Sequence, residues 1–273
     1  MPGRLFLVAT PIGNLGDLTT RAADTLRAVA FVACEDTRRS RVLLQHVGLS
    51  KETVSLPAFA EGERAGRILD RVEAGEDCAL VTDAGSPGIS DPGEKLVAEA
   101  VERGLQVVPI PGATALVAAL SASGLPSGRF HFLGFLPRKG PERQSMLEEV
   151  AALSATLVLY ESPRRLTETL VELQGAWGDR RACVARELTK IHEELVRGTL
   201  RELAKRFENV EVLGEVVLVV EGRRGPGRWS EEEVRRALAQ GLARGEKLKT
   251  LSTDIARRAG WVAKEVYRLG LKA

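Results

Sequence analysis

The sequence is poor in the residues that carry metal and redox chemistry. Its three cysteines, Cys34, Cys78 and Cys183, stand far apart in apolar runs such as FVACE and CALV. An odd count without CxxC spacing argues against a disulfide framework or a zinc site and predicts buried, inert thiols. The three histidines, His46, His131 and His192, never fall at metal-ligand spacing, so no metal is expected. Phosphate-cradling signatures are missing too. No GxxxxGK(S/T) occurs, and the first glycine-bearing loop, TPIGNLG, lacks the GxGxxG spacing. No apolar run approaches the roughly 20 residues that cross a bilayer, so no membrane partner is expected. The apolar stretch in MPGRLFLVATPIG is too short for a signal peptide, which predicts a cytoplasmic protein.

Lysine is also scarce, while arginine is abundant and clustered. The clusters are Arg38, Arg39 and Arg41; Arg138, Lys139 and Arg143; Arg164 and Arg165; Arg223, Arg224 and Arg228; and Arg257 and Arg258. The sequence pI of about 8.5 is below that expected of a dedicated nucleic-acid domain, so clustering rather than total charge carries any such signal.

At 273 residues the chain has length for two cores. Its first part alternates apolar strands with helices: RLFLVA, TTRAADTLRAV with a threonine cap, AFVACE, SRVLLQHV, the amphipathic GERAGRILDRVEAG, CALVT, GEKLVAEAVERG and LQVVPI. Continuous apolar strands separated by helices imply a parallel sheet covered on both faces. After the small-residue helix ATALVAALSASG come FHFLGFL, the helix PERQSMLEEVAAL, then TLVLYE, ACVARELT, ELVRGTL and GEVVLVVEG, which predict a mixed sheet. RRGPGR reads as a linker. WSEEEVRRALAQGLARG opens with a capping box, Ser230 with Glu233. LSTDIARRAGWVAKEVYRLGL then reads helix, glycine turn, helix, suiting either a helix-turn-helix or a plain helical appendage. The expected division is therefore 1–123, 124–222 and 230–273.

Four loops leave strands with unusual composition: TPIGNLGD, EDTRRS, TDAGSPGISDPG and PGATA. Ligands of parallel α/β sheets collect beyond the C-terminal strand ends. These loops offer glycine for close backbone approach and no lysine for a polyphosphate, which Asp83 and Asp91 would repel. A ligand with a cationic centre fits better, and S-adenosylmethionine is one.

Beyond these patterns, the chain resembles the ribosomal RNA small subunit methyltransferase I family, within the tetrapyrrole (corrin/porphyrin) methylases. The stretches that carry the resemblance are VATPIGNLGDLTTRA, ACEDTRRSRVLL, ALVTDAGSPGISDPG, PIPGATALVAALSASGLP, GFLPRKGPER, YESPRR, RELTKIHEE and GEVVLVVEG, in order from Leu5 to Gly222. The tail from Ser230 also resembles that family's helical extension. One departure is visible: Arg164 stands where the family's pattern has histidine. The resemblance implies a two-domain α/β fold with a small helical C-terminal extension, S-adenosylmethionine as cofactor, and a homodimer. It implies 2′-O-methylation of a cytidine ribose in small-subunit (16S) ribosomal RNA near the decoding centre. It also implies cofactor contacts from Ile12, Ala84, Gly85, Ser86, Ile89, Thr114, Ala115, Glu161, Leu188 and Thr189.

For catalysis the polar candidates are Glu35, Asp36, Asp83, Glu161, Glu187 and Lys190, with Lys190 and Asp36 expected near the ribose. Lys190 would act as a neutral base if burial lowers its pKa, or as a cation that fixes a phosphate. For RNA, arginine suits phosphates and splayed bases, which selects Arg38, Arg39, Lys139, Arg143, Arg164 and Arg165. Two other readings remain open: a methylase of a tetrapyrrole or other small molecule, and a non-catalytic RNA-binding relative.

Overall fold

The computed structural model describes residues 1–57, 59, 61–224 and 229–271. The linker at 225–228, with Arg228, lies outside the described residues, as does the side chain of Arg257.

The first sheet contains β1 (Arg4–Val8), β2 (Phe31–Cys34), β3 (Glu52–Ser55), β4 (Cys78–Val81) and β5 (Gln106–Ile110) in the order β3-β2-β4-β1-β5, all parallel. Every residue of β2 and β4 is buried, as their unbroken apolar sequences require. Helices α1 (Thr20–Ala28), α2 (Thr37–His46), α3 (Glu61–Glu73) and α4 (Glu94–Glu102) cover the two faces. Ile68, Leu69 and Val72 of α3 pack with Phe31 and Leu80 on one face, while Leu26 of α1 and Leu43 of α2 pack with Val32 and Val81 on the other. Thr19 caps α1 by accepting from Ala22 N, as expected.

The second sheet contains β6 (Phe130–Phe135), β7 (Thr156–Glu161), β8 (Arg181–Arg186), β9 (Glu194–Thr199) and β10 (Val216–Val220) in the order β6-β7-β10-β8-β9. Only the β6–β7 pair is parallel; the other three are antiparallel, so the sheet is mixed. Helices α6 (Pro141–Val150), α7 (Leu166–Trp177) and α8 (Leu200–Phe207) bury one face through Leu147, Leu170, Leu173 and Leu203. Helix α5 (Ala115–Ala122) covers the other: Ala119 and Leu120 meet Val158, Val217 and Val219. Packing therefore changes sheets at the PGATA turn, one helix before the sequence break at Gly124.

Helices α9 (Glu231–Ala243), α10 (Leu248–Ala259) and α11 (Ala263–Gly270) share a small core built on Val234, Leu238, Leu251, Ile255 and Val266. The capping box at Ser230 and Glu233 is present, and Gly260 ends α10 in the left-handed region at φ 67°. All three cysteines are buried, and burial raises the thiols of Cys34 and Cys183 and pushes Cys78 up to about 12. No helix among the described residues is long and apolar enough to cross a membrane.

Candidate functional site

Strand ends from both sheets enclose a cavity of about 300 Å³. From the first sheet come Ile12 beyond β1, Ala84–Asp91 beyond β4, and Thr114 and Ala115 beyond β5. From the second come Phe135 at the end of β6, Tyr160–Pro163 at the end of β7, and Gly214–Val217 at the start of β10. β7 and β10 run antiparallel with Glu161 opposite Val216, which brings the end of one and the start of the other to a single edge.

The floor is set by the backbone. Thr10 N donates to Gly85 O at 2.8 Å, and Gly85 N returns to Thr10 O at 3.1 Å. This two-way bridge ties the first loop to the third, with Gly85 at φ 84°, a region that disfavours side chains with a Cβ. Ser90 holds φ 62° in the same loop. An aromatic wall faces the floor: Tyr160 stacks edge-on against Phe132 with centroids 5.0 Å apart and lies 5.5 Å from Phe135.

The charged side chains that line the cavity are all acidic, and two of them are paired with cations outside the lining, Glu161 with Arg165 and Glu215 with Lys190. Asp91, Glu161 and Glu215 line it, with no lysine or arginine among the described lining residues. Burial pushes the Asp91 carboxyl above its ordinary range, and the charges of Asp83 and Glu215 add to this. Burial raises Glu35 likewise, with Asp83 and Asp91 repelling its charge. Glu161 differs, because its fully buried carboxylate is satisfied: it accepts from Ser162 N at 2.6 Å and Thr169 Oγ1 at 2.7 Å, and pairs with Arg165 at 2.6 Å.

Eight of the ten residues expected to touch a cofactor line this cavity: Ile12, Ala84, Gly85, Ser86, Ile89, Thr114, Ala115 and Glu161. Leu188 and Thr189 do not. They lie against Gly13, where Leu188 joins the apolar cluster that includes Ile12 and Thr189 Oγ1 is buried without a partner. Sequence reasoning missed the aromatic wall and the β10 end. Tyr160 directly precedes Glu161 in YESP, and GEVV begins a strand; their pairing is the long-range fact that one sequence does not show.

The expected catalytic residues lie outside the lining. Asp36 caps α2, accepting from Arg38 N at 2.8 Å, and pairs with the Arg38 guanidinium; these bonds hold its carboxyl below the usual range. Lys190 Nζ lies 2.8 Å from Glu187 Oε1 and 3.2 Å from Glu215 Oε2. Burial alone would lower the ammonium, but the two carboxylates outweigh it and raise the pKa above its ordinary value. Of the two readings of Lys190, these surroundings favour the cation.

Four RNA candidates, Arg38, Arg39, Lys139 and Arg164, are exposed. Arg143 is not. It is 6% exposed and donates to Glu172, Pro137 O and Thr169 Oγ1, so it anchors α6 to α7 and has no free face for RNA. Arg165 is half-buried against Glu161. Among the described residues no cluster of His, Cys, Asp and Glu is arranged to hold a metal.

The geometry matches known proteins. Residues 4–204 match the model of the tetrapyrrole (corrin/porphyrin) methylases. A ribosomal RNA small subunit methyltransferase I from Synechocystis sp. is 44% identical over 273 residues, covering 99% of this chain and 98% of that protein. The chain belongs to the ribosomal RNA small subunit methyltransferase I family. It is a methyltransferase of the tetrapyrrole methylase fold, with S-adenosylmethionine as its donor. Among solved structures, a diphthine synthase superposes with a TM-score of 0.66 at 17% identity, covering 81% of this chain and 90% of its own. A uroporphyrin-III C-methyltransferase from Thermus thermophilus, complexed with S-adenyl homocysteine, gives 0.60 at 23% identity, covering 80% and 97%.

Proposed function

We propose that this protein methylates the ribose 2′-oxygen of a cytidine in small-subunit ribosomal RNA near the decoding centre, working as a homodimer in the cytoplasm. The observation that carries the proposal is the cavity: glycine-floored, aromatic-walled, without lysine or arginine among its described lining residues, and rimmed by carboxylates. A polyphosphate would meet acidic side chains there and no cation among the described lining residues. A sulfonium meets favourable charge, and the small residues Ala84, Gly85 and Ala115 leave room for an extended ligand. The eight lining residues named from the family pattern are those we assign to the cofactor.

Bound in this cavity, S-adenosylmethionine supplies an electrophilic methyl group. The protein's part is to hold the hydroxyl in line, exclude water and accept a proton. Positioning of this kind is worth on the order of 7–11 kcal/mol in favourable cases. Ile12, Ile89, Phe135 and Val217 present apolar surface to the cavity. Of the three lining carboxylates, Glu161 is fully engaged and Glu215 is paired with Lys190, whereas Asp91 is made more basic by burial, so we assign proton acceptance to Asp91. Lys190, held as a cation, and exposed Arg38, Arg39, Lys139 and Arg164 supply the positive charge that RNA phosphates need.

The dimer proposal rests on the outer face of α5 and the β6 edge, where Val117 and Phe130 are exposed. We keep 1–123, 124–222 and 230–273 as the chain's units, the last as a separate helical module for RNA. A small-molecule methylase would leave the exposed arginines of α2 and of the loop before α6 without a purpose. Methylation of unmodified small subunits with labelled donor, against a tetrapyrrole control, tests the reading.

A further inference from the structure

Three of the four strand-end loops are absorbed by the cofactor cavity. EDTRRS is not. It leads into α2, whose first turns line a second, smaller cavity of about 90 Å³ on the other side of the Thr10–Gly85 bridge. The two cavities share their dividing wall: Thr10 and Pro11 face the small one where Ile12 faces the large one, and Thr82 and Asp83 face it where Ala84 and Gly85 face the other.

The small cavity gathers unsatisfied polar atoms. Ser40 Oγ, Thr82 Oγ1 and Asp83 Oδ1 are all buried without a hydrogen-bond partner, and all three residues line it. Ser40 is 4% exposed and Thr82 3%. Asp91 and the Cys34 thiol lie close enough to feel these hydroxyls, without hydrogen-bond geometry. Buried polar groups are bonded in the great majority of cases, and leaving one unmade costs free energy. Arg39 adds a guanidinium at the mouth, its Nε 3.4 Å from Asp83 Oδ2. Pro11 and Leu43 supply apolar sides.

A space of about 90 Å³ is smaller than the roughly 150 Å³ that encloses a benzene ring, so this cavity, open on one side, takes the polar edge of a base and not the whole ring. We propose that the mouth of this cavity receives the Watson–Crick edge of the flipped target base, with Asp83 accepting from the exocyclic amine of cytosine. The proposal rests on the RNA reading above. The Asp83 carboxylate accepts the N4 amine, as acidic side chains do at cytosine. Arg39 and the hydroxyls of Ser40 and Thr82 donate to the ring's carbonyl and unprotonated nitrogen. A uracil would set its O4 against the Asp83 carboxylate and is rejected. With the base seated here, the attached ribose lies over the dividing wall at the mouth of the cofactor cavity. Extraction of a base from its stack before chemistry is a general strategy of nucleic-acid enzymes.

The test uses the full chain, unmodified small subunits, and small subunits carrying uridine at the target position. The wild type is expected to methylate the cytidine substrate at least tenfold faster in kcat/KM. Asp83→Asn, whose amide can donate to O4, is expected to lower that preference at least fivefold, with the dissociation constant of S-adenosylmethionine unchanged. Should Asp83→Asn fail to fold, Ser40→Ala and Thr82→Val read the same ratio, and each is expected to reduce the cytidine rate at unchanged cofactor affinity. An unchanged cytidine-to-uridine ratio in an active Asp83→Asn overturns the base-reading assignment and makes the cavity a water pocket. A wild type that binds S-adenosylmethionine but labels neither RNA overturns the functional reading beneath it as well.

Discussion

Gly13 touches Leu188 across the join of the two sheets. A Cβ on Gly13 would fall 2.9 Å from the Leu188 carbonyl oxygen and 2.6 Å from Lys190 Cγ. The loop from Glu187 to Lys190 has little freedom to retreat, since Glu187 and Thr189 already hold φ 50° and 66°. Gly13→Ala is therefore expected to displace this loop. The destabilisation should be about 1–3 kcal/mol, with weaker cofactor binding because Ile12 is adjacent. Calorimetry and thermal melts check this; a variant unchanged in both would contradict the contact.

Gly85 faces a different constraint. A Cβ there meets only ordinary contacts, 3.5 Å from Ile12 Cγ2, so the difficulty is the backbone at φ 84°. A β-branched residue in that region costs on the order of 1–3 kcal/mol. Gly85→Val is expected to lose cofactor binding at least tenfold as the Thr10–Gly85 bridge distorts, read by titration calorimetry on protein that still melts cooperatively.

Asp91 is expected to trade stability for activity. Its folded pKa lies above the unfolded one, so the ionised form is disfavoured in the native state. That penalty is present above the folded pKa and vanishes as pH falls below about 3.9. Asp91→Asn should therefore raise stability at neutral pH by about 1 kcal/mol or less, given solvent screening, and the gain should disappear in acid. Methyl transfer should fall about 10²–10⁴-fold if Asp91 accepts the proton. A stable variant with full activity would remove that role.

Lys190 has the opposite sign. The hydrogen bond from Lys190 depresses Glu187, whose contribution is present above about pH 4.3 and lost as pH falls further. The raised Lys190 contributes below about pH 10.4 and loses its share as pH climbs through its folded value. Lys190→Met is expected to cost about 0.5–1 kcal/mol, constant between roughly pH 5 and 10. Lys190→Arg should retain more RNA methylation than Lys190→Met. A neutral-pH limb in the rate profile that vanishes in Lys190→Met would contradict the cationic role.

The C-terminal helices pack on a core of their own, and Trp261 Nε1 donates to Trp229 O at 2.7 Å within the module. Removing 229–273 is expected to leave cofactor affinity intact and to weaken RNA binding, with a smaller salt dependence. Loss of both together would make the module part of the body.

Much of this was legible in the sequence because the signals were local. Unbroken apolar runs such as FVAC and CALV gave buried parallel strands, Ser230 with Glu233 gave a helix start, and glycine-rich loops marked the cofactor side. Other features depended on distance. β3, with the sequence ETVS, is short and only partly apolar, and went unread; so did α7 and α8, whose apolar faces become plain once Leu170, Leu173 and Leu203 meet in one core. By sequence Arg143 reads as a contact for RNA and Lys190 as either a neutral base or a cation, but the fold brings Glu172 to one and Glu215 to the other, contacts 29 and 25 residues away in the chain. The orphaned hydroxyls of Ser40 and Thr82 had no sequence signal at all, since only packing decides which polar atoms go without partners.

The most direct test is transfer of labelled methyl from S-adenosylmethionine to small subunits lacking the modification, followed by mapping of the labelled atom. The account predicts one labelled site, on the 2′-oxygen of a cytidine ribose, lost in Asp91→Asn. Label on a base atom, or on a tetrapyrrole with none on RNA, would contradict it.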